Sequence, residues 1–430
     1  MAIIPLAPER LEDTGVSNDL VFQLVTKTLH LAGELTGSEL AARLGVSFAV
    51  VEPALTLLKR DHHCEIAGGT HLGAPSYLYR LTDSGRVRAA LFLDDNHYVG
   101  ALPVPLDQYT AYMNQVAQEH ATRLNRDVIR NAFSHLVLGP RTLDQLGPAI
   151  TARHSLFVYG PPGNGKTVIA QAVQRVLTRD IAVPYALSID GSIIRIFDPG
   201  THQRVQEAPD QDEGLERRDV FDRRWVLCHH PLVTVGGELT LDALDLSYSP
   251  STGFYRAPLQ MLANGGVLVI DDFGRQQASP RGLLNRWMVP LESRVDYLTL
   301  QTGQKFQIPF EVFVVFATNL KPADLVDEAF LRRIRYKVLA ESPTVSAFMQ
   351  IFENYCRDNQ LAFDPSVADY LVTSELAPRG VALRGCQPRD LIEQALAIAS
   401  YLGRPRVLTR DLLTQACASY FVDDRNLASA

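Results

Sequence analysis

The sequence predicts an α/β protein in which a parallel sheet carries a phosphate-binding loop, with a small α+β module before it and a helical region after it. Three observations predict this. An apolar run with β character, Leu156-Phe157-Val158-Tyr159, stops at Gly160-Pro161-Pro162-Gly163-Asn164-Gly165-Lys166-Thr167 and continues into the helix-like VIAQAVQRVL. A second apolar run, Val267-Leu268-Val269-Ile270, ends in two carboxylates, Asp271 and Asp272. From residue 344 to 424 the pattern is helical throughout.

The first run is G-x-x-x-x-G-K-[ST] with a strand before it and a helix after it, the context its chemistry needs. A phosphate chain carries several negative charges and requires closely packed donors. Gly163 and Gly165 let the backbone curl so that successive N–H groups point inward, and the start of the helix adds partial positive charge. Lys166 is placed to reach the β- and γ-phosphates, and the Thr167 hydroxyl to ligate Mg²⁺. The second run reads as a strand buried on both faces. Its terminal carboxylates fall at the sheet edge where α/β proteins collect ligands. Asp271 is expected to hold Mg²⁺ through water and Asp272 to orient an attacking water; each task needs a carboxylate.

Bulk properties narrow the class. A chain of 430 residues suggests two or three domains. A net charge of -7 argues against general attraction to nucleic acid. The five cysteines are scattered and form no C-x-x-C, as in a reducing cytosol. MAIIPLAPERLED reaches acidic residues too soon for a signal peptide, and no apolar run approaches the ~18 residues of a membrane span. A cytoplasmic protein is expected.

Taken in order, Leu20, Val21, Leu24, Val25 and Leu29 recur at helical spacing. Thr36-Gly37-Ser38-Glu39 is a capping box opening a second helix. Gly45-Val46-Ser47 turns into a third, which runs to about Arg60. A glycine-containing loop leads to the alternating SYLYRLT. Three helices and a glycine-tipped ribbon resemble a winged helix-turn-helix. Residues 1–100 nevertheless hold eight Lys/Arg against twelve Asp/Glu, and the third helix is basic only at its C-terminal end. DNA affinity rests largely on phosphate neutralisation, so protein docking or an oligomer contact is the favoured role. Nucleic acid is the lesser one.

ALPVPL (101–106) reads as a proline-stiffened linker, and 107–152 as mostly helical, with LGPRTLDQLG expected near the adenine side of the nucleotide. PYALSIDGSIIRIFDP reads as a strand and its hairpin-like continuation, and the polar run in 199–220 as a solvated loop. His62-His63 beside Cys64 and His229-His230 beside Cys228 have poor spacing for zinc, so no metal is expected at either. VDYLTLQ and QKFQI flank Thr-Gly as a hairpin. EVFVVFAT is a buried strand ending at Thr318-Asn319, where a polar side chain can touch the γ-phosphate or the attacking water. Arg332 and Arg333 follow an apolar helical turn. Pro388 fits the first turn of a helix, which places Arg389 near its positive end, where an arginine wants an anion.

These pieces in this order resemble the AAA+ ATPases over about residues 125–425. The hairpin between the second motif and the Asn319 strand resembles the pre-sensor-1 insertion of the MoxR, magnesium chelatase and sigma-54-activator branch, and LLNRWMVPLE…VFATN is most similar to MoxR-like members. The resemblance implies Walker A at Gly160–Thr167, Walker B at Asp271 and Asp272, and sensor 1 at Asn319. It also implies an arginine finger at Arg333, with Arg332 as its rival, and sensor 2 at Arg389. Expected domains are a winged-helix-like 1–100, a linker and helix at 101–124, an AAA+ α/β domain at 125–341 and a helical lid at 342–430. The expected activity is ATP hydrolysis with Mg²⁺ at the subunit interfaces of a homo-oligomer, a hexameric ring, that remodels a protein client. A DNA-binding regulator with ATPase-controlled assembly and an ATP-bound switch with little turnover are the competing readings. The chain departs from the family twice: Walker B ends Asp-Asp rather than Asp-Glu, and Lys166 lies 105 positions before Asp271, with the excess in 190–250.

Overall fold

The computed structural model describes residues 3–69, 73–121, 124–177, 179–205, 221–325 and 328–421. Most of the polar 199–220 run, including EAPDQDEGLERRD, lies outside them, as does Asp327. The chain divides into two compact units. One consists of Met1–Leu124, Leu177–Val269 and Gln276–Val314, the other of Asn125–Val176, Ile270–Arg275 and Val315–Ala430.

The first unit begins with helix Asn18–Ala32, capped by the Ser17 side chain on the Leu20 N–H, which buries Leu20, Val21, Leu24, Val25 and Leu29. Helix Gly37–Leu44 opens with the expected capping box, Thr36 and Glu39 each satisfying the other's backbone N–H. Helix Phe48–Arg60 follows, burying Val50, Val51, Ala54, Leu55 and Leu58. A three-stranded antiparallel sheet in the order Glu34–Thr36, Tyr77–Leu81, Cys64–Gly69 covers them. This core does not stop at residue 100. It continues through Leu102, Ala186 and Ile193.

One core position is a charge. Lys27 is fully buried, and its ammonium donates to the Asn96 carbonyl at 2.9 Å. Burial lowers its pKa to about 8, against a smaller opposing pull from Asp95. Between about pH 8 and the unfolded value near 10.4 the unfolded chain holds a proton that the folded chain has released, so stability rises with pH across that window. Lys27→Met is therefore expected to raise stability at pH 7 by about 1–2 kcal/mol. Its advantage in melting temperature should shrink by pH 10. An advantage that does not change with pH would assign the effect to packing rather than charge.

The stretch read as a linker is built into the fold. Ala101, Leu102 and Val104 are buried, and Val104–Pro105 pairs in parallel with Ala186–Ile189, Val104 opposite Leu187. Proline is tolerated there because the strand is an edge. The sheet order is Ser247–Ser249, Phe254–Arg256, Ser192–Arg195, Ala186–Ile189, Val104–Pro105. The 190–250 stretch thus contributes Ser192–Arg195 and Ser247–Ser249 to this sheet. Its hairpin, Ala186–Ile189 with Ser192–Arg195, turns on Asp190 and Gly191, both with positive φ, the two-residue turn that matches strand twist. The expected hairpin Val295–Thr299 with Lys305–Pro309 is present too. It is anchored by buried Asp296, which accepts from Arg286 at 2.6 Å and from Gln260 at 2.9 Å.

A five-stranded sheet runs in the order Leu232–Val235, Val267–Ile270, Phe313–Thr318, Leu156–Tyr159, Tyr336–Leu339. Leu156–Tyr159 is parallel to both its neighbours, with Leu156 opposite Val315 and Tyr336. In the second unit, helix Lys166–Gln174 follows the phosphate loop. The C-terminal helices Val345–Asp358, Pro365–Tyr370, Gln387–Tyr401 and Arg410–Tyr420 close around Phe348, Phe352, Leu371, Leu391, Ile392 and Leu412. No single helix among the described residues is long and apolar enough to cross a membrane.

Candidate functional site

Strand Leu156–Tyr159 delivers the loop Gly160–Gly165 to the start of helix Lys166–Gln174. Gly163 and Gly165 have φ of +78° and +73°, a region where L side chains are strained, so the two glycines do what the spacing requires. A Cβ on Gly163 would also come within 2.5 Å of the Cys386 sulfur. Cys386 N–H donates to the Gly163 carbonyl at 2.8 Å, seating the start of helix Gln387–Tyr401 on the loop. Asn164 reaches from the same loop to the Ala340 carbonyl at 3.3 Å.

Lys166 is buried, and its ammonium donates to the Gly160 and Pro161 carbonyls at 3.0 and 2.9 Å and to Asn319 Oδ1. Burial draws its pKa below the usual lysine value, with Asp272 and Asp271 opposing and Arg384 adding to the fall. Asn319 Nδ2 donates in turn to Asp272 Oδ1 at 3.1 Å. Thr167 Oγ1 donates to Asp271 Oδ2 at 2.7 Å. The carboxylates sit where they do because the turn after Ile270 is stitched to the neighbouring strand. Phe273 N–H donates to the Ala317 carbonyl at 2.7 Å, and Thr318 Oγ1 to the Phe273 carbonyl at 2.7 Å. Asp272 itself has φ +48°, a left-handed conformation that Asp adopts more readily than most residues.

One cleft of about 710 Å³ gathers Pro162–Thr167, Asp271, Asp272, Asn319 and Arg389. Gly160 and Pro161 lie behind it and hold Lys166 through their carbonyls. Arg389 comes from the first turn of its helix, as expected, and the anion it wants is its neighbour Asp390, at 2.8 Å. Arg332 and Arg333 end the helix Glu328–Arg333 and do not line the cleft. The rest of the cleft lining was not read from sequence. Leu136, Val137 and Leu138 form one part, with only Leu138 inside the LGPRTLDQLG segment. Ile351 and Tyr355 form the other. The Tyr355 hydroxyl donates to Glu393 at 2.7 Å, and burial, then Glu393, push its pKa up to about 12. The available signal was a short apolar run, LVL, just before a Gly-Pro helix start.

Of the histidine pairs, His229 Nδ1 is 2.9 Å from Asp180, His230 Nδ1 2.6 Å from the Gly265 carbonyl, and His63 Nδ1 3.1 Å from Ser84. Among the described residues no group of three or more His, Cys, Asp or Glu is arranged to hold a metal. Mg²⁺ in a nucleotide site uses fewer protein ligands, with phosphate and water supplying the rest. The adjacent hard oxygens of Thr167 and Asp271 suit that ion.

A phosphate loop after Leu156–Tyr159, the polar Asn319 after the neighbouring central strand Phe313–Thr318, and a carboxylate pair after Val267–Ile270 beyond it define the fold. It is an α/β fold built on a phosphate loop. Residues 140–187 match the family described as magnesium chelatase, subunit ChlI, an AAA+ family. Residues 344–419 match a domain of unknown function, DUF8689. No curated protein matches the chain. Solved structures that resemble it include a RuvB variant of Thermotoga maritima, at 13% identity and TM-score 0.40, covering 67% of this chain and 71% of that one. NtrX from Brucella abortus in complex with ADP aligns at 14% identity and TM-score 0.40, covering 81% of this chain and 69% of that one.

Proposed function

We propose that this chain is an AAA+ protein, a Mg²⁺-dependent ATPase that assembles as a ring, a hexamer, and spends hydrolysis on remodelling or assembling a protein client. The observation that carries the reading is the convergence of Lys166, Thr167, Asp271, Asp272 and Asn319 on one cleft. The loop N–H groups and the Lys166 ammonium bind the phosphate chain, and Lys166 exchanges its carbonyl partners for β- and γ-phosphate oxygens. The wall of Leu136–Leu138, Ile351 and Tyr355 gives the base an apolar slot. Thr167 and Asp271 would hold Mg²⁺, which offsets charge on the phosphates. Asp272 accepts the proton of the attacking water, and Asn319, hydrogen-bonded to it, fixes that carboxylate and the water's approach. Arg389 is in the cleft wall and can shift from Asp390 to a phosphate. Arg333 stands outside its own chain's cleft, which fits action on a neighbouring copy. Residues 18–92 serve in this reading as a winged-helix-like module that docks protein: Glu52, Pro53 and Thr56 are exposed on its third helix, and the basic Lys59 and Arg60 come only at the end.

Phosphate release measured over a range of protein concentrations tests this. Turnover per chain should climb steeply with concentration and vanish in Lys166→Ala. Turnover that does not depend on concentration would remove the ring. ATP binding without release of phosphate would replace the motor with a switch.

A further inference from the structure

The first unit holds a second cavity, of about 770 Å³, that the ATPase reading does not use. It opens beside the turn between helices Gly37–Leu44 and Phe48–Arg60, and four arginines line it: Arg43, Arg195, Arg204 and Arg223. Among the described residues, which leave out 206–220 between Arg204 and Arg223, no Asp or Glu lines it. In a chain of net charge -7 this is a local reversal of sign. Like charges gathered in one concavity repel one another, and that arrangement is stable only when water or an anion offsets it.

The neighbouring residue shows how the fold treats an arginine it needs for structure. Arg224 is fully buried, donates to both oxygens of Asp222 at 2.8–3.0 Å, and also reaches the Thr14 carbonyl at 2.9 Å and Gln108 Oε1 at 2.9 Å. Arg223, one position earlier, is exposed and faces the cavity. Among the described residues none of the four cavity arginines has a carboxylate within ion-pair distance, whereas Arg60, Arg80, Arg86 and Arg404 on the surface all do.

Arg204 is moreover held in place. Its guanidinium carbon lies 4.8 Å from the Phe197 ring centre and 5.7 Å from that of Tyr185, and it donates to the Tyr185 hydroxyl at 3.1 Å. Phe197 is backed by buried His202, stacked at 5.8 Å. That imidazole is fixed in turn, accepting from the Asp198 N–H at 3.0 Å and lying 2.9 Å from the Leu262 carbonyl. An arginine stacked on aromatic faces keeps its planar donor edge free for bidentate contact with phosphate oxygens and loses little entropy on binding.

We propose that this cavity binds a small soluble ligand carrying several phosphate groups, separately from the nucleotide cleft. Its concavity and volume suit a small molecule. A nucleic acid strand is less well served, because Phe197 is already covered by Arg204 and His202 and offers no face for base stacking. The inference stands whether or not the chain hydrolyses ATP.

Isothermal titration of inorganic tripolyphosphate into full-length Lys166→Ala, which weakens the phosphate loop, tests it. Saturable binding is expected, weakened about tenfold or more by adding either Arg195→Gln or Arg204→Gln and unchanged by Arg60→Gln. Using two separate variants guards against the misfolding of either. Binding that is lost equally on Arg60→Gln, or is unaffected by both cavity variants, overturns the proposal. So does tighter binding of a short single-stranded DNA that the same two variants abolish, which would make the cavity a nucleic-acid site. Equal competition by an oligoglutamate peptide would overturn the phosphate preference.

Discussion

Arg333→Ala should reduce ATP turnover per chain by about 10³- to 10⁵-fold, the range over which an arginine finger acts in other nucleotidases. ATP affinity should stay within a few-fold of wild type. The expectation follows from position. Arg333 ends the helix Glu328–Arg333 and lines no part of the cleft that holds Lys166, Asp271 and Asn319, so its loss should leave the binding groups of its own chain intact. The charge it supplies would be missing only from a neighbour's transition state, where γ-phosphate charge spreads over the equatorial oxygens. Mixing makes the test specific. Arg333→Ala chains combined with Lys166→Ala chains should regain activity, because an intact cleft can then face an intact arginine. A mixture that stays inactive, or an Arg333→Ala chain that keeps full activity, would move the role to Arg332 or to a site built within one chain.

Asp272→Asn should lower turnover by about 10²- to 10⁴-fold, the usual contribution of a general base, while ATP binding persists. The substitution keeps size and shape but removes the charge that accepts a proton. It also turns one acceptor into a donor beside the Asn319 amide, now 3.1 Å from Asp272 Oδ1. Asp272→Glu keeps the charge and should retain measurable turnover, so the pair separates charge from reach. The residue's left-handed φ of +48° adds a structural check, since Asn tolerates that conformation as well as Asp does and the variant should fold normally. Measured phosphate release in single-turnover conditions, with nucleotide binding followed separately, decides it. If Asp272→Asn turns over as fast as wild type, the water is oriented by some other group.

Local patterns were legible because their causes are local. The phosphate loop, its glycines at positive φ, the Thr36–Glu39 capping box, the Asp190-Gly191 hairpin and the buried strands before Asp271 and Asn319 each depend on residues within a few positions of one another. Propensity, turn chemistry and burial period are enough to specify such features. The convergence of Lys166, Asp271 and Asn319 followed from knowing that carboxylates and polar residues at strand ends share one sheet edge.

What the tertiary structure alone decided lies between residues far apart in the chain. The 101–106 stretch has a linker's composition, yet Val104 pairs with Leu187 because a free edge and a buried apolar surface were there to receive it. The cleft lining joins Leu136–Leu138 to Ile351 and Tyr355 across some two hundred positions. Arg43, Arg195, Arg204 and Arg223 are unremarked in sequence and become one basic cavity only in space. The sequence by itself determined the loop chemistry and the strands that carry it, since backbone geometry and burial act over short spans. Which surfaces meet, and which charges are paired or left facing a cavity, was decided by long-range packing, whose partners no local pattern encodes.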